Sequence, residues 1–136
     1  MVLFFKALVA ILPFFILLDA AWILLIARGL YERGIGHLLA ASVNWYAVGA
    51  FYLMYAAAIA FFAVLPASDS GGVWRAAYTG ALLGAVSYAT YELTNMATLS
   101  GWPVTLVVVD VLWGAFATGA AAALGYYTLR ILGVVG

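Results

Sequence analysis

The chain has 136 residues, of which 69% are hydrophobic and only 7% charged, against about 25% charged in ordinary soluble domains. A soluble fold of this size has too little interior for so much apolar surface, which makes lipid its natural solvent. Five basic residues balance five acidic ones, with one histidine and no cysteine. This excludes a disulfide framework and gives no support to nucleic acid as a partner, to a transition-metal site or to a bound cofactor.

A membrane-crossing helix needs about 20 mostly apolar residues, and four segments meet that length. The first covers 7–27 and contains Pro13, Asp19 and Trp22. Lys6 ahead of the apolar run gives it the look of a signal peptide. Asp19 interrupts the run, however, and no small-residue cleavage site follows, so it reads as a retained helix. The stretch 28–37, RGLYERGIGH, reads as a polar connection with an exposed His37. The second segment, 38–65, has no charge and carries Asn44, Tyr52 and Tyr55 on one face. After the linker 66–75, PASDSGGVWR, the third segment covers 76–95. In it Gly80, Gly84, Tyr88 and Glu92 recur every fourth residue, a stripe with a close-packing end and a polar end. The fourth covers 103–129, opening on Pro103, which suits a first helical turn because no backbone donor is needed there. It contains Asp110 and Trp113, then a small-residue stripe of Gly114, Thr118 and Ala122. Trp45, Trp74 and Trp102 fall near segment starts, the place of interfacial belt residues.

The expected fold is therefore all-α: a four-transmembrane-helix bundle forming one domain over 1–136, with both termini on the same side. Lys6, Arg75 and Arg130 fall on the termini side and Arg28 and Arg33 on the other, which by the positive-inside rule favours cytoplasmic termini.

Depth organises the polar residues. At 1.5 Å per residue Asp19 and Asp110 lie about 12 and 10 Å from the face opposite the termini, Asn44 about 9 Å and Glu92 about 5 Å, with Asn95 at the boundary. A charged side chain facing lipid at mid-helix costs about 2.5–3.5 kcal/mol. Asp19, Glu92 and Asp110 are thus expected to point into the bundle or into a wet vestibule, walled by Trp22 and Trp113. The bland alternative for Asn44, Asn95 and the tyrosines is interhelical glue, worth about 0.6 kcal/mol each. Two short echoes accompany the acids. Asp19 and Trp22 are spaced like Asp110 and Trp113, and Tyr52 and Tyr55 like Tyr88 and Tyr91.

The stretch YATYELTNMATLSGWP at 88–103 resembles the hallmark of a family of small bacterial membrane proteins, domain of unknown function 2177. LDAAW at 18–22, FYLMY at 51–55, VLPA at 64–67 and VDVLWG at 109–114 are similar to its other recurrent segments. Glu92 stands where that family more often has Asp, a longer carboxylate that argues against strict metal geometry. The resemblance implies a multi-pass protein of the bacterial inner membrane with four spans, and implies no activity.

The expected function is binding of a lipid or small amphipathic molecule. Asp19, Glu92 and Asp110 would meet its polar end, assisted by Asn44 and Asn95, while Tyr52, Tyr55, Tyr88, Tyr91, Trp22 and Trp113 line its apolar part. The alternatives are a dimeric proton-coupled transporter and an accessory subunit of a membrane complex. Membrane lipids are the expected partners, with a second copy or a complex partner as further candidates. A membrane enzyme using Asp19 and Asp110 for acid–base work ranks after the transporter and ahead of the accessory subunit, held back because no nucleophile, base and orienting group stand in a recognisable set.

Overall fold

The computed structural model describes residues 1–136 and is entirely helical. Helix α1 (Val2–Ala21) continues through a wide π turn at Trp22–Ile26. The chain bends at Ala27 into the short helix α2 (Arg28–Ile35) and a 3₁₀ turn at Gly36–Leu38. Helix α3 (Trp45–Ile59) runs through a second π turn, Ala60–Val64, into α4 (Leu65–Asp69) as one long rod. Helices α5 (Gly72–Thr98) and α6 (Val104–Ile131) form an antiparallel hairpin.

Only three helices, Val2–Ile26, Trp45–Asp69 and Val104–Ile131, are both long and apolar enough to cross a membrane. This corrects the expected four-transmembrane-helix bundle. At 27 residues α5 has the length, but Arg75, Thr79, Ser87, Thr90, Glu92, Thr94 and Asn95 dilute its apolar character. Three spans do not place both termini on one side.

Two boundaries also differ from expectation, for local reasons. The second long helix begins at Trp45 and not at 38, because Asn44 is its cap: the Asn44 side chain accepts from the Ala47 amide at 3.2 Å. That helix then passes through Pro66 instead of ending there. Proline has no amide to complete the ladder, and the π turn just before it widens the coil to absorb the lost bond. The turn into α5 is made by Gly71 and Gly72 at φ 84° and 58°, which a side chain would strain.

The core is built where small residues let helices approach. Gly80 and Gly84 of α5 lie directly on Gly114, Thr118 and Ala122 of α6, so the two expected stripes interlock. A Cβ at Gly80 would stand 2.9 Å from the Thr118 carbonyl oxygen, and one at Gly84 would enter the Gly114 backbone. Helix α1 packs on the other side of α6, with Ile11 seated over Gly125. The α3–α4 rod closes the bundle through Tyr55, Ala56, Ile59, Ala60, Ala63 and Val64. Its first turns stand clear, with Tyr46 93% exposed. A smaller core holds α2 against the start of α6 through Ile35, Trp102, Leu106 and Val107.

Candidate functional site

Four polar or charged residues are buried in the whole molecule: Asp19, Glu92, Asp110 and Thr118. Three of them are the acids singled out by depth, and all three turn inward. They do not close into one cluster, and no three such side chains stand close enough to grip a metal ion. They form two adjoining knots instead.

In the first knot Asp19 receives the Tyr52 hydroxyl on Oδ2 at 2.7 Å and, on Oδ1, the Tyr88 hydroxyl at a longer 3.4 Å. Two tyrosines of the echoed pairs thus hold one carboxyl from two different helices. Tyr55 lies edge-on to Tyr88, with ring centroids 6.4 Å apart, and bonds the Thr118 hydroxyl at 3.0 Å.

In the second knot Asp110 accepts on Oδ2 from the Tyr31 hydroxyl at 2.7 Å, and Tyr31 in turn accepts from the Trp22 indole at 3.4 Å. Burial, followed by the neighbouring Asp110 carboxyl, pushes ionisation of Tyr31 well above the ordinary phenol range, so Tyr31 stays a donor. Glu92 lies beside Asp110 within hydrogen-bonding reach, and its Oε2 accepts from the Trp102 indole at 2.8 Å. The remaining oxygens, Glu92 Oε1 and Asp110 Oδ1, have no donor. Trp22 and Trp113 stack face to face, centroids 4.6 Å apart and planes within 7°, which joins the two Asp-x-x-Trp echoes directly.

Between the knots and the α3 rod opens a cavity of ≈ 570 Å³. Asp19 and Asp110 supply its acids, Trp22, Tyr55, Tyr88 and Tyr91 its aromatic wall, and Phe51 and Met54 its flank on α3. Two of its lining residues, Met54 and Tyr91, are 67% and 60% exposed, so the cavity reaches the outer surface of the bundle beside them.

Several expected site residues fall elsewhere. Asn44 is the exposed helix cap already described, outside the cavity. Asn95 and Trp113 do not line it, and each has a buried nitrogen without a partner. Tyr52 holds Asp19 but is not part of the wall. Glu92 sits behind Asp110.

Sequence reasoning missed Tyr31 and Trp102. Tyr31 falls in the polar stretch 28–37, although Leu30, Tyr31, Gly34 and Ile35 share one helical face and Arg28 and Glu32 pair at 2.9 Å at its edge. Trp102 sits where an interfacial belt residue is expected, yet it is 9% exposed and its indole donates to Glu92. Trp45 and Trp74 are exposed as belt residues are.

The family model described as "Predicted membrane protein (DUF2177)" matches residues 4–127, which include every residue of both knots. The chain belongs to this family. No curated protein and no solved structure matches. Family and helices together make this DUF2177 member a small all-α, multi-pass membrane protein, in keeping with the bacterial inner membrane implied by the sequence resemblance.

Proposed function

We propose that this DUF2177 protein binds a lipid or similarly built amphipathic molecule in the side-opening cavity. The polar end of the ligand meets Asp19 and Asp110, and its apolar part lies along Phe51, Met54, Tyr55, Tyr88 and Tyr91. The observation that carries this reading is the cavity itself. About 570 Å³ falls within the range of small-molecule sites, and its lining pairs two convergent carboxylates with an otherwise apolar wall. Lateral access between α3 and α5, flanked by the exposed Met54 and Tyr91, lets a ligand enter from the hydrocarbon phase. Buried carboxylates inside a membrane protein are costly, and such residues mark ligand or ion sites.

The test is native mass spectrometry of the purified protein. The wild type is expected to carry bound lipid that is lost when Asp19→Asn and Asp110→Asn are combined. Unchanged lipid in a folded double variant would overturn the proposal.

A further inference from the structure

The second knot contains one acid more than its donors serve. Tyr31 satisfies Asp110 Oδ2 and Trp102 satisfies Glu92 Oε2, which leaves one oxygen on each carboxyl without a donor. Glu92 is fully buried, and Asp110 is 3% exposed and lines the cavity. The groups facing the pair from every packed element are Tyr31 of α2, Asp19 of α1, Trp22 of the π turn that follows it, Tyr88 of α5 and Trp102 of the α5–α6 turn. None is a cation. Arg28 and Arg33 occupy the exposed side of α2, and Arg28 is engaged by Glu32.

Two carboxylates cannot hydrogen-bond each other. A carboxylic acid and a carboxylate can, through one proton held between them. We infer that Glu92 and Asp110 share a single proton, and that the cavity takes an amphiphile with an ammonium head, which replaces this proton at Asp110. The inference rests on the proposed cavity function and adds the ligand's chemical class. Asp19 and Asp110 are both acceptors, and no Lys, Arg or His lines the cavity, so no cation offsets the repulsion that a phosphate or carboxylate head meets there. Tyr55, Tyr88, Tyr91 and Trp22 offer aromatic faces, which attract an organic ammonium. On binding, the shared proton leaves to solvent and both carboxyls become ionised. The pair goes from one negative charge to two, the ligand brings one positive charge, and no covalent bond changes.

The experiment titrates nanodisc-embedded protein with dodecylammonium, dodecanol and dodecanoate, following heat in buffers of different ionisation enthalpy. Dodecylammonium is expected to bind in preference to the other two and to release about one proton per ligand. Its affinity should rise by up to about tenfold per pH unit while the pair still holds its proton. Glu92→Gln keeps a hydrogen-bonding partner for both Trp102 and Asp110 but has no proton to give up. In that variant proton release is expected to vanish, and with it the rise of affinity with pH. Infrared spectra of the unliganded wild type should show a protonated-carboxyl band that Glu92→Gln and Asp110→Asn each remove. Dodecylammonium binding without proton release, or a missing band, overturns the shared proton and leaves the cavity function intact. Preference for dodecanoate overturns the ligand class. If none of the three amphiphiles binds, the cavity function itself fails. A lipid headgroup and a free amine are separated by repeating the titration in the presence of phosphatidylethanolamine, which competes only if its ammonium reaches Asp110.

Discussion

Trp102 and Trp45 show how little a residue's type says about its task. Both precede long helices and both were expected at the interface, yet Trp45 is 74% exposed while Trp102 is buried with its indole donating to Glu92. Replacing Trp102 by Phe keeps most of the ring volume and removes the N–H, so Glu92 loses the donor to Oε2. A buried acceptor left without a partner costs about 1–3 kcal/mol, more when charged. Trp102→Phe is therefore expected to lower stability by at least that amount in reversible detergent unfolding, and Trp45→Phe to change it by less than about 0.5 kcal/mol. Equal effects of the two substitutions would contradict the buried indole–carboxyl bond. Tyr31 follows the same logic: its importance comes from the 2.7 Å bond to Asp110, across 79 positions of sequence.

Among the elements, the α5–α6 hairpin is the most tightly built, because glycines on one helix meet glycine, threonine and alanine on the other. Gly84 is the closest approach, where any Cβ would enter the Gly114 backbone and touch Thr118. Backbone cannot yield as a flexible side chain does, so Gly84→Leu should force the helices apart and cost about 1–3 kcal/mol or more. Gly49, in the free-standing start of α3, faces open space. There Gly49→Ala should be neutral or stabilise by about 0.5–1 kcal/mol through lower backbone entropy in the unfolded chain. Unfolding midpoints of the two variants check both signs. The same spacing also explains why the Gly80–Gly84 stripe could be read in advance: a four-residue repeat of small residues has one geometric use, close helix contact. α2 could not be read in the same way. Eight residues with two glycines form no stable helix alone, and it is the packing of Ile35 on Trp102, Leu106 and Val107 that holds it.

The whole molecule inverts the pattern of a soluble protein. Large apolar residues such as Leu25, Leu112 and Phe116 lie outside, while three of the five acidic residues lie inside. Apolar side chains on the outer surface lose nothing in hydrocarbon, whereas a charge placed there does. Leu112→Arg, in the membrane-length helix α6 and 67% exposed, is expected to raise the insertion cost by about 2.5–3.5 kcal/mol. It should therefore reduce the membrane-inserted fraction markedly, and His37→Arg, on the exposed 3₁₀ turn outside those helices, should not. Quantitative membrane fractionation of the two variants distinguishes these outcomes, and full insertion of Leu112→Arg would contradict a lipid-facing α6 surface.

Composition and helical period by themselves determined the all-helical membrane class, the existence of small-residue stripes on α5 and α6, and the inward turn of Asp19, Glu92 and Asp110. Each follows from a strong local rule: apolar length, repeat spacing, and the cost of charge in lipid. The number of spans was not determined this way, because α5 has the length of one but carries polar residues along much of it. Only the tertiary structure decided that Tyr31 and Trp102 serve the acids, that Asn44 caps a helix outside the site, and that Glu92 stands behind Asp110. Hydrogen bonds between residues tens of positions apart depend on how helices rotate and stack. No spacing within a single helix encodes that rotation.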